Sequence, residues 1–244
     1  MFGSNPVFSQ KLLQNNFAAQ ERLTVKGVFN KSLILFLILV STSFYTWFNI
    51  ISTRSFNPSY ITISAILAFI VSLVIIFKPN TASYLSPVYA ILEGVFISYI
   101  SFYFNQAYPG IVTQAALATF AVVGLIIFSY STGIFKVTPS FVKGVQIAMG
   151  AIFVLYLGNM IFSLFGMPFG FLYSSSPLGI GISLLIVALA SANILVNVHF
   201  IFQAERASLP SSMEWYLAFG LMVAVVWLYL EILRLFAKLR GRNR

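Results

Sequence analysis

Seven apolar runs, each close to the length that crosses a bilayer, constrain this chain more than anything else in it. A transmembrane helix needs roughly 20 mostly apolar residues. Runs of that kind occupy about 32–53, 58–77, 84–104, 110–130, 142–165, 177–203 and 213–237. Between them lie "RSFNPS", "KPNTAS", "NQAYPG", "STGIFKVTPS", "FGMPFG…SSSP" and "ERASLPSS". Each joins Pro or Gly to small polar residues, the usual breakers of regular structure. Connections this short predict antiparallel neighbours packed into one bundle. The runs lack two-residue alternation, which argues against a β-barrel, and no internal repeat marks a two-fold transporter. The expected fold is an all-α integral membrane protein, a seven-transmembrane-helix bundle over 32–238. A segment 1–31 precedes it and a basic tail 239–244 follows.

Composition enters where the solvent has to be decided. The chain is 59% hydrophobic and 8% charged, whereas a soluble domain is nearer ~25% charged. Too few polar side chains exist to cover a soluble surface, so lipid is the expected solvent. There is no Cys and no Asp, which removes disulfides, thiolate metal sites and aspartyl chemistry. The net charge of +9 does not signal nucleic acid, because the basic residues flank apolar runs, the usual orientation signal against an anionic leaflet. Residues 1–31 hold Lys11, Glu21, Arg22, Lys26 and Lys31 without an apolar stretch, so they do not read as a cleavable signal peptide.

Charge also orients the bundle. With the N-terminus inside, the inner segments hold Lys11, Arg22, Lys26, Lys31, Lys78, Lys136, Lys143 and Arg206, and the outer loops hold only Arg54. That bias predicts a cytoplasmic N-terminus. Seven crossings then carry Arg234, Lys238, Arg240, Arg242 and Arg244 to the outside. Either the bias prevails, or the last segment re-enters without crossing.

The chain lacks the motifs of the common enzyme classes. It has no HExxH and no second histidine for zinc, no G-x-S-x-G elbow and no P-loop. Lys238 sits at the end of the seventh run, not in its middle as a retinal Schiff base requires. No catalytic role, bound cofactor or resident metal is expected.

Polar residues inside the spans need partners, because an ionised carboxylate at mid-bilayer costs on the order of 2.5–3.5 kcal/mol. Glu93, in "ILEGVF", reads two ways: a protonated structural carboxyl beside a close-packing Gly94, or a proton or cation site. Glu231 shares a helix face with Arg234 and Lys238, which fits an interfacial salt bridge with snorkelling cations. Asn193 and Asn197, four apart, suit helix–helix hydrogen bonding. His199 lies on another face above Gln203 and Arg206, as a residue marking the water boundary would.

The order and spacing of several stretches resemble the Bax inhibitor-1/YccA-like family, the transmembrane Bax-inhibitor-motif proteins, in its bacterial branch. The stretches are "SNPVF", "LTVKGVFNK", "IIFKPN", "PVYAILEGVFIS", "AYPGIVTQAALATF", "TGIFKVTPSF", "SPLGIGISLLIV" and "MEWYLAFGLMVAVVWLYLEILRLFAKLR". The resemblance implies a bundle with a central last helix, a multipass protein of the bacterial inner membrane, and a pH-sensitive calcium leak linked to stress protection. It also implies an alternative, a non-conducting regulator that binds a membrane protease. The family's pH latch joins an acid on the sixth helix to one on the seventh through a basic residue near the end of the second. Carried over by position, the seventh-helix acid is Glu231 and the basic residue is Lys78, where better-known leak members carry Arg. The sixth-helix acid falls on Asn197, a departure from the family pattern. An amide resembles a protonated carboxyl in shape but never ionises. The implied ion-pathway set is therefore Glu231, Asn197, Lys78 and Glu93, with His199 and Arg234 secondary and Ca2+ or another cation a transient occupant.

Overall fold

The apolar runs become helices that outgrow them. The computed structural model describes residues 22–167, 169–172 and 174–242, and the rest of the segment 1–31 and of the basic tail lies outside the described residues. Seven helices are long and apolar enough to cross a membrane: α1 (Val25–Thr53), α2 (Ser59–Phe77), α3 (Ala82–Ala107), α4 (Ile111–Ser131), α5 (Pro139–Leu164), α6 (Pro177–Arg206) and α7 (Met213–Arg242). Short 3-10 turns, Pro79–Thr81 and Gly170–Leu172, sit in two connections.

The sequence boundaries miss most at α1, which begins inside the segment assigned to the N-terminal region. "TVKGVFNK" is too charged to read as span, yet Thr24 starts the helix there. Its backbone is extended, and its hydroxyl accepts from the Gly27 N–H at 2.9 Å, which satisfies one of the helix's orphan donors. The "TP" and "SP" pairs work alike: Thr138 and Ser176 cap α5 and α6, with Pro139 and Pro177 at the first helical position. A helix of 30 residues, such as α6 or α7, is about 45 Å long. Against a hydrocarbon core of about 30 Å, both must project into water.

The last helix is central. In the span of α7, 61% of the residues are buried, against 50% for α3 and 11% for α5. α7 packs against α6, α1, α4 and α3, whereas α2 leans on α3 and α5 on α6. The α1–α3 seam is close because Gly94 faces α1: a Cβ there would lie 2.6 Å from the Leu39 carbonyl oxygen. α7 also runs without a break, so it crosses the bundle and does not re-enter. Its end is tied to the face opposite the start of α1, where Arg240 donates to the Pro109 carbonyl and to Gln114 Oε1, both at 2.8 Å. The near face below is the one at which α1 begins, and the far face is its opposite.

Candidate functional site

Helices that do not all touch one another leave a space. Because α2 packs on α3 but not along α6, a cavity of about 990 Å³ opens in the near-face half, between α2, α3, α6 and the first half of α7. Its walls are mostly apolar and ring-rich, with Tyr89, Phe96, Phe219 and Trp227 among them. Its polar groups include Glu93 from α3 and Asn193, Asn197 and Gln203 along one side of α6.

Glu93 is 7% exposed. The Tyr89 hydroxyl, one turn earlier, is its hydrogen-bonding neighbour, and the Tyr89 ring is held edge-on by Phe219 at 5.0 Å. Glu93 pairs with no cation among the described residues. Asn197 donates to the Asn193 carbonyl at 2.9 Å, which uses its N–H to bind its own helix. Its Oδ1 faces α7 at Gly220, where an added Cβ would stand 3.8 Å away.

Glu231 sits elsewhere, in the far-face half, about 27 Å along α7 at 1.5 Å per residue. It is 1% exposed. Arg234 donates to both its oxygens, at 2.8 and 3.0 Å. Tyr156 of α5 donates to Oε1 at 2.9 Å, and Trp227 does so through its indole N–H at 3.1 Å. Arg234 also donates to the Tyr156 hydroxyl at 2.6 Å, so carboxylate, phenol and guanidinium form a closed triangle. A buried carboxylate is tolerated when it is paired and hydrogen-bonded in this way. Lys238 turns from Glu231 toward α6 and donates to the Gly179 carbonyl and to Ser183 Oγ, at 3.1 and 2.7 Å.

The latch triad is thus not assembled. Lys78 caps the near-face end of α2 with an exposed side chain, and neither it nor Asn197 is among the hydrogen-bond partners of Glu231. The physical reason is depth: Lys78 ends a helix at the near face while Glu231 lies in the far half. Trp227 is the connection between the two sites, since its ring lines the cavity while its N–H holds Glu231. His199 hydrogen-bonds on both ring nitrogens, with Tyr130 of α4 and with Gln203, each at 2.9 Å. It joins α4 to α6 rather than standing free at a boundary.

A second carboxylate cluster escaped the sequence reading. At the near face, Glu214 Oε1 accepts from the Thr24 N–H at 2.9 Å, and its Oε2 pairs with Lys31 at 2.6 Å. The Val25 N–H donates to Glu205 Oε1 at 2.9 Å, and the Leu23 N–H donates to the Leu209 carbonyl at 2.8 Å. Two acids at the start of α1 satisfy its orphan N–H groups and complement its dipole. Gly27 admits the Glu214 carboxylate where any Cβ would collide with it. The one signal for this in the sequence was acids at the end of the sixth run and the start of the seventh.

No curated protein matches the chain. The family described as Bax inhibitor 1 like matches it over residues 5–241. That match covers nearly the whole sequence, from before the first helix to the last turn of the central seventh, and the chain belongs to the Bax inhibitor-1-like family.

Proposed function

We propose that this multipass membrane protein is a slow cation leak, held closed by Trp227, with Glu93 as the cation- and proton-accepting group of the near-face cavity. The observation that carries the reading is the double role of Trp227. The ring lines the cavity, and the N–H is fixed by a carboxylate that Arg234 and Tyr156 also hold. Removing the Glu231 charge would loosen all three donors and free the indole to swing. One carboxylate and three amides offer fewer hard oxygens than a tight Ca2+ site, which takes 6–8. That favours weak, passing occupancy by Ca2+ or a monovalent cation. The near face carries Arg22, Lys26, Lys31, Lys78, Lys136, Lys143 and Arg206, which supports placing it in the cytoplasm of a bacterial inner membrane.

Flux of Ca2+ and K+ from liposomes across a pH series tests this. Trp227→Ala should conduct at every pH, Glu231→Gln should conduct at neutral pH, and Glu93→Gln should lower flux. Asn197→Asp puts a second carboxylate into the cavity and should favour Ca2+ over K+. No flux from the wild type at any pH, and none from Trp227→Ala, would refute the leak. The second reading, a non-conducting regulator of a membrane protein such as a protease, would then stand. The neutral amide at Asn197, where the family places an acid, is what favours it.

A further inference from the structure

In a protein with a net charge of +9, the near-face cavity is lined by no Lys or Arg and by one carboxylate. The rings around that carboxylate add to the asymmetry, because aromatic faces attract ammonium and guanidinium groups. The mouth of the cavity gives the second half of a ligand description. Phe69, Ile76 and Phe200 line it and are 56%, 50% and 38% exposed. α2 and α6 do not close over it. These residues belong to helices long and apolar enough to cross a membrane, and exposed apolar side chains on such helices are expected to face acyl chain. At the near face the cavity reaches Ala207 and Leu209 in the α6–α7 connection. Gln203, Asn197 and Asn193 line the cavity from that end inward, an amide ladder spread over about a third of the α6 circumference.

We propose that this cavity binds a single-chain lipophilic amine drawn from the bilayer, with its ammonium against Glu93 and its alkyl chain leaving between α2 and α6. The head group travels down the amide ladder while the chain stays in lipid, so no charged group crosses the hydrocarbon bare. At its seat the ammonium meets the free lone pairs of Glu93 and the faces of Tyr89, Phe96 and Trp227. A carboxylate-headed chain of the same length fits the same volume but meets a like charge and no cation. The proposal shares its cavity and carboxylate with the leak reading but does not require conduction.

Trp227 lines the cavity and serves as the reporter. The test uses full-length protein in nanodiscs, with Trp47→Phe and Trp215→Phe so that Trp227 is the one remaining indole. Its fluorescence is titrated with bromine-labelled octadecylamine and with bromine-labelled stearic acid, at a mildly alkaline pH where both heads are charged. We expect saturable quenching with about a tenfold preference for the amine, which corresponds to ~1.4 kcal/mol. Glu93→Gln should abolish that preference. Butylammonium, which has the head without the chain, should compete poorly. Equal quenching by amine and acid, a preference that survives Glu93→Gln, or full competition by butylammonium would each overturn the proposal. Should Glu93→Gln not fold, Ala65→Phe, which narrows the cavity from α2, must weaken amine quenching, and unchanged quenching there overturns it too. A protein that conducts without head-group preference defeats this inference alone, and one that prefers the amine yet passes no ion defeats the leak alone.

Discussion

Tyr156 is a single hydroxyl on a helix that is otherwise mostly exposed, yet it closes the triangle around the most buried acid among the described residues. A hydrogen bond to a charged group contributes about 1.5–3 kcal/mol. Tyr156→Phe should therefore lower stability by about 2 kcal/mol, read as a fall in melting temperature in detergent, and an unchanged melting temperature would show that Arg234 and Trp227 suffice. Gly27→Ala is a second test at this scale. Its methyl collides with the Glu214 carboxylate, so either Lys31 loses its partner or α1 shifts. We expect destabilisation of about 1–3 kcal/mol, as overpacking typically costs, largely relieved when Glu214→Ala is added. Some of these residues were legible in the sequence. Glu231 and Arg234 are three apart on one helix, and that spacing alone brings them within reach. Tyr156 was not, because its contribution comes from a helix whose rotation about its own axis no local pattern fixes. Lys78 could be placed at a helix end, but depth relative to Glu231 emerges only once seven helices are stacked side by side.

At the scale of elements, hydropathy located every span but missed how far some helices run past it, at the start of α1 and at the ends of α6 and α7. The hydrophobic run reports what lies in lipid, whereas the helix continues until its backbone donors find another partner. For α1 the partners are the hydroxyl of the adjacent Thr24 and two carboxylates far away in sequence, Glu205 and Glu214. Thr24→Ala should cost about 1 kcal/mol, the usual loss of an N-cap, and should speed amide exchange in the first turn of α1 while leaving α3 unaffected. Equal exchange in both variants would mean that the two carboxylates hold the turn without the hydroxyl. The α1–α3 seam is more demanding. Gly94→Leu would drive a side chain into the Leu39 carbonyl and Thr42, and we expect it to prevent monodisperse recovery from the membrane. The closeness of that seam was legible, since a glycine beside a buried glutamate signals packing. The cavity was not, because it results from α2 and α6 failing to meet.

At the scale of the whole molecule, the seven crossings put the start of α1 and the end of α7 on opposite faces. The absence of native cysteine makes this directly testable with an impermeant maleimide on oriented vesicles. Ala207→Cys should label from one side, and Ser55→Cys and Arg242→Cys from the other. Joint labelling of Ala207→Cys and Arg242→Cys would mean that α7 does not cross. The number of spans was readable from the apolar runs and the breakers between them. The central position of α7 was not, and came only with the family resemblance, because hydropathy does not distinguish a helix wrapped in protein from one wrapped in lipid. That central position has a consequence for how the chain is made. A nascent chain emerges from its N-terminus, and domains generally form as their residues become available. Here the bonds that fix the start of α1 join Thr24 to Glu214, 190 positions later. The helix that packs against α1, α3, α4 and α6 leaves the ribosome after all of them. The α1–α3 and α2–α3 seams can close without it, but the faces of α1, α3, α4 and α6 that meet α7 must wait in the membrane uncovered, open to chaperones and quality-control proteases, until α7 slides in among them.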